Sequence, residues 1–177
     1  MAQQVTITLN LNTLKKSVAN ELYKWGEANR EDANYQRIYE LQYSSSDSVD
    51  SSLLTLYVKQ RTDRIADMVS EYLTSFGYST DSENNTRAST STDTPDTPDT
   101  PTPQSETATF AMTLPAGWNN STFASLAKLF EDYVINGAAA DWFVNAGVEQ
   151  GKVCNAKASE CAIGIQRNIY HKNSTIS

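Results

Sequence analysis

Histidine is almost missing from this chain: a single imidazole, His171, serves 177 residues. Cysteine is scarce as well, with Cys154 and Cys161 alone. These shortages remove most of the side chains on which proton relays, thiol nucleophiles and transition-metal sites depend. There is no glycine-rich phosphate loop, no G-x-S-x-G elbow and no H-E-x-x-H pair. The sequence therefore reads as a protein that is not an enzyme and has no cofactor and no metal. No apolar run approaches the roughly 18 residues of a membrane span. Met1-Ala2-Gln3-Gln4 lacks the basic and apolar regions of a secretion signal, so a cytosolic product is expected. The sequons at Asn84, Asn120 and Asn173 then have no secretory context.

Proline is also rare, and four of the five prolines fall between Pro95 and Pro103. They stand in a tandem Thr-Pro-Asp motif within a Thr/Ser/Asp/Pro-rich stretch, residues 79–106. Proline at every third position favours extended chain without internal hydrogen bonds, so the stretch reads as a linker. At full extension it would span about 90 Å. It also holds much of the charge. Asp81, Glu83, Asp93, Asp96, Asp99 and Glu106 stand against Arg87, a net of −5 out of −7, which leaves −2 for everything else. The folded parts are nearly neutral, so neither a basic DNA-grasping face nor an acidic body is indicated.

Each side of the linker is too small to bury much apolar area alone. The two sides, 1–78 and 107–177, are expected to pack together as one unit, on neighbouring subunits, or on both. Val5, Ile7, Leu9 and Leu11 alternate with polar residues, the mark of a half-buried strand. Asn12 and Thr13 are plausible caps for a helix carrying Leu14, Val18, Leu22 and Trp25. A second helix, Asp50 to Phe76, carries Leu54, Tyr57, Arg61, Ile65 and Tyr72 on one stripe, with Gly77 as its stop. After the linker, Ala108, Phe110, Met112 and Leu114 alternate again. Asn119, Asn120 or Ser121 can cap the helix that follows, which holds Leu126, Phe130, Tyr133, Val134 and Trp142. Gly137 inside it costs about 1 kcal/mol of helix propensity and signals close packing or a bend. A last helix, Val148 to His171, carries Cys154, Ala158, Cys161, Ile165 and Ile169.

Both halves thus read strand–helix–helix. The expected fold is mainly α: a bundle of about four helices with a small two-strand β-element, whose strands pair with each other or with a neighbouring chain. Cys154 and Cys161 lie about 10.5 Å apart along one helix axis, too far for a mutual disulfide. They read as small apolar residues that let helices approach closely. Asp63 and Asp67, beside Arg64 and Lys59, read as a solvated helix face. Nine tyrosines and three tryptophans suit protein interfaces. The candidate interface residues are Tyr35, Tyr39, Tyr43 and Tyr78, with Pro95, Pro98 and Pro101 of the linker.

The opening Val-Thr-Ile-Thr-Leu-Asn-Leu strand, the Val18–Gly26 helix and Tyr35-Gln-Arg-Ile-Tyr39 resemble small proteins of gut Bacteroidetes phages, including crAss-like phages. Phe110-Ala-Met-Thr-Leu-Pro115, Asp132-Tyr-Val-Ile135 and Ala140-Asp-Trp-Phe143 extend the likeness. The pattern is similar to head-to-tail connector components of tailed phages, the adaptor, ring or neck proteins. That resemblance implies a structural virion subunit, one of about twelve copies in a ring. The ring would link the portal to other connector or tail proteins, enclose DNA without reading its sequence, and have no contact with membrane. The last residues, Asn173–Ser177, depart from the usual basic C-terminal end. Two other classes fit the same residues: another virion component, such as a tail terminator or cargo protein, and a host-facing adaptor that binds a protein.

Overall fold

The computed structural model describes residues 2–29, 49–81, 105–146 and 148–170. Alternation at the N-terminus becomes strand β1, Gln3–Asn10, with Val5, Ile7 and Leu9 buried. Asn10 ends the strand and begins the next element: its side-chain oxygen accepts a hydrogen bond from the Thr13 backbone N–H at 2.9 Å. The cap is therefore Asn10, two residues before the expected Asn12 and Thr13, because the extended backbone of the strand already supplies the non-helical geometry a cap requires. Helix α1, Leu11–Ala28, buries Leu11, Leu14, Val18 and Leu22.

Helix α2, Val49–Met68, is shorter than its apolar stripe implies. Backbone turns from Tyr72 to Val69 and from Leu73 to Ser70 stop it, and the chain re-emerges as strand β2, Leu73–Asp81. Gly77 is not a helix stop but the middle of that strand. Leu73-Thr-Ser-Phe-Gly-Tyr-Ser-Thr alternates with period two as well as continuing the helical stripe, and pairing with a neighbouring strand settles the contest in favour of β. Strand β3, Ser105–Leu114, takes the centre of an antiparallel sheet of order β1-β3-β2. The two expected strands pair with each other, Ile7 opposite Phe110, and β2 makes a third, with Phe76 opposite Phe110. Asp81 pairs with Ser105, so the strand ends that flank residues 82–104 adjoin. The expected linker boundaries, 79–81 and 105–106, are themselves strand.

The second half follows the predicted order. A turn at Pro115–Trp118 needs Gly117 at φ 95°, a region that favours glycine. Asn119 then accepts bonds from the Ser121 N–H and hydroxyl and caps a short 3-10 turn, Asn120–Thr122. Helix α3, Phe123–Asn145, runs through the middle of the helical layer and, among the described residues, packs on the other helices. Helix α4, Gln150–Tyr170, lies along it. The Trp118 indole donates to the Asn168 carbonyl at 3.0 Å, tying the end of α4 to the base of the sheet.

One core joins the sheet's inner face to the helices. Phe110 is its pivot, with Phe76 at 4.8 Å and Phe130 at 5.3 Å between ring centroids. The fold is mainly α with a small β-element, as expected, and among the described residues the element has three strands.

Candidate interaction surface

The opposite face of the sheet points away from this core. Register places Asn10, Thr107 and Ser79 in one row, Thr8, Thr109 and Gly77 in the next, then Thr6, Ala111 and Ser75. Not one of these nine carries a charge, and hydroxyl pairs run across strands. Ser79 and Thr107 lie 2.7 Å apart, and Thr74 and Thr113 lie 3.1 Å apart. In sequence, Asp81 at the end of β2 is the one charged residue in β1 and β2.

The two edges differ. Along β1 the inward side chains are buried although β3 is its only strand partner among the described residues: Ile7 and Leu9 are each 2 % exposed. Along β2 the inward side is left open. Phe76 is half-buried and Tyr78 is 40 % exposed. The Tyr78 ring is set by its neighbours: Phe76 meets it edge-on at 5.3 Å, and the Lys59 ammonium lies 5.6 Å from its centroid. Its hydroxyl donates to Asp63 at 2.7 Å. Lys59 in turn pairs with Glu106 on β3 at 2.7 Å. Partial burial, the bond to Asp63 and the nearby Glu106 charge all push the Tyr78 phenol well above its ordinary pKa. Tyr78 is thus held neutral and fixed at the sheet margin. Of the candidate interface residues it is the one within the described residues; Tyr35, Tyr39, Tyr43, Pro95, Pro98 and Pro101 fall outside them.

Sequence reasoning missed Phe76, which it placed at the end of a helix, and it missed the partner of Arg61. Arg61 lies on the buried stripe of α2, and a charge on such a stripe was the available signal. Its guanidinium grips Asp141 of α3 with two bonds, Nε to Oδ2 at 2.6 Å and the terminal nitrogen to Oδ1 at 2.5 Å. Burial works against the Arg61 charge, but Asp141 and Tyr133 outweigh it and hold the pKa above the usual value. This pair fastens helix α2 to helix α3.

A cleft of about 200 Å³ opens between α1, α3 and α4 and is lined by Lys24, Trp25, Phe143, Cys154 and Lys157 among others. It falls below the few hundred Å³ of a typical small-molecule pocket, and Lys24 is already bound to Glu21 at 2.7 Å. Cys154 and Cys161 sit on one unbroken helix as free thiols, the first buried against its neighbours. Burial raises the pKa of both. Among the described residues no three His, Cys, Asp or Glu side chains gather to hold a metal ion. Asp63 and Asp67 are exposed, as expected of a solvated face, though Asp63 also serves Tyr78. No described helix is long and apolar enough to cross a membrane. Set against protein-family models, curated proteins and solved structures, the chain finds no match.

Proposed function

We propose that this chain is a structural subunit of a tailed-phage virion that forms a ring in the head-to-tail connector, between portal and tail. Its work is packing and symmetry adaptation, without catalysis. The observation that carries an assembly role is the sheet: an uncharged hydroxyl-rich face bounded by two strands with unpaired edges among the described residues. Unprotected edges invite strand pairing between chains. Ring contacts are heterologous, so one subunit must present two different complementary surfaces, and a three-stranded sheet with unlike edges meets that demand. The setting at the head–tail junction is supported by the resemblance of the Val5–Leu11, Phe110–Pro115 and Ala140–Phe143 segments to connector proteins.

The test is quantitative mass spectrometry of particles from a phage that encodes the chain. The proposal expects about twelve copies per particle, retained with the neck when heads and tails are separated. A chain absent from purified particles, and found free in the lysate, overturns it.

A further inference from the structure

We infer that copies of this chain join head-to-tail by parallel pairing of β1 of one copy with β2 of the next, the neighbour covering Phe76 and Tyr78. The inference deepens the assembly reading above and does not depend on the phage setting.

Direction comes first. Both outer strands are antiparallel to β3, so β1 and β2 run the same way. A second copy in the same orientation, set beside the first, therefore brings its β1 to the first copy's β2 as a parallel pair. Each added copy again presents two edges that have no strand partner among the described residues, the condition for a ring or a filament.

Length and charge agree. β1 offers eight residues, and beyond the bulge at Leu73/Ser75 β2 offers Ser75–Asp81, seven in regular register. Neither strand contains proline, lysine or arginine, the residues that usually guard an edge, and Asp81 at the extreme end is the one charge in either.

Cover decides between partners. At the β1 edge the inward residues Val5, Ile7 and Leu9 are already buried under the helical layer. At the β2 edge Phe76 and Tyr78 are left partly open. Two β1 edges brought together would crowd two covered margins and leave both aromatic margins bare. Joining unlike edges lays the covered margin of one copy against the open margin of the other. The hydroxyl face then continues across the junction without opposing charges.

Disulfide trapping in the full chain tests this. Thr6, Thr8, Ser75 and Ser79 point outward and are exposed, so cysteines there leave the core untouched. Double variants combining Thr6→Cys or Thr8→Cys with Ser75→Cys or Ser79→Cys are oxidised at the concentration where the unmodified chain multimerises, and bridges are mapped by peptide mass spectrometry. Circular dichroism of the reduced proteins checks folding. The expected result is a ladder of covalent multimers in at least one double variant, bridged from position 6 or 8 to position 75 or 79, with the single variants unbridged. Dimers from Thr6→Cys or Thr8→Cys alone would mean β1 pairs with β1 and overturn the inference. Multimers seen by native mass spectrometry but never bridged in any double variant would overturn it too, while leaving assembly through another surface intact. A chain that stays monomeric throughout sinks both readings.

Discussion

Arg61 reaches Asp141 by crossing helix α3 directly over Gly137. A methyl group at that glycine would lie 2.7 Å from Arg61 Cδ and 2.9 Å from Nε. The guanidinium beyond is pinned at two of its three nitrogens, so the side chain has no easy retreat. Gly137→Ala gains about 1 kcal/mol of helix propensity. It should lose more, for a net destabilisation of about 1–2 kcal/mol, since overpacking a fixed contact costs about 1–3 kcal/mol. The midpoint of urea unfolding measures this; a higher midpoint than wild type would show that Arg61 can move aside.

Removing the other partner strands a charge. The Arg61 side chain is 8 % exposed, and Asp141→Ala leaves it without its counter-ion. The expected cost is about 3 kcal/mol, near the lower bound for breaking a buried pair because Asp141 itself is partly in contact with water. Adding Arg61→Met to Asp141→Ala should recover part of the loss. A double variant no more stable than Asp141→Ala would argue that the pair contributes through something other than charge burial.

Phe110 and Phe76 touch, yet they should not be equal. Phe110 is fully buried at the centre of the sheet, and Phe110→Ala should cost about 3–5 kcal/mol. Phe76→Ala, at the half-open margin, should cost clearly less in the isolated chain. Its larger effect should fall on multimer formation, read by native mass spectrometry of the two variants.

Alkaline stability should report on Tyr78. Its folded pKa is raised, so the stabilisation it gives is complete below the ordinary tyrosine value of about 10 and is lost as pH rises from there toward the folded value. Tyr170, whose hydroxyl bonds with Tyr72 and Glu71, is pushed up to about 12 and acts in the same direction. Unfolding midpoints measured from pH 8 to 11 should fall above pH 10, and fall less steeply in Tyr78→Phe. Equal slopes would remove Tyr78 as a contributor.

The thiols give a simpler check on α4. Both pKa values are raised, by burial first, and at Cys161 also by the charges of Asp132 and Glu160. Ellman's reagent should react slowly with both at pH 7, and with half-buried Cys161 before buried Cys154. A fast-reacting Cys154 would contradict its packing in the helical layer.

What was legible in the sequence followed from strong local periodicity. Val5, Ile7 and Leu9 on β1, and Phe110, Met112 and Leu114 on β3, declared their strands because one face of each is buried. Helices α3 and α4 were equally plain, and Gly137 signalled a close approach, though not that Arg61 makes it. β2 was hidden because Tyr72, Leu73 and Phe76 continue the α2 stripe while Phe76 and Tyr78 also alternate. Only pairing with β3, thirty or so residues on, settles the choice, and such non-local contacts leave no local mark. The open margin at Phe76 and Tyr78 was hidden with it. Tyr78 could be singled out as an aromatic beside the linker, but its place at a sheet edge could not. The Asn10 cap was missed because a residue that is both the last of a strand and the cap of the helix that follows offers no polar gap between two patterns.

Native mass spectrometry of the full chain over a concentration series tests the central claim most directly. The account predicts multimers that grow by single subunits and accumulate at one closed size, with growth abolished by a charge set on an open edge, as in Thr8→Lys. A single monomeric species at every concentration, with Thr8→Lys indistinguishable from the parent, would contradict it.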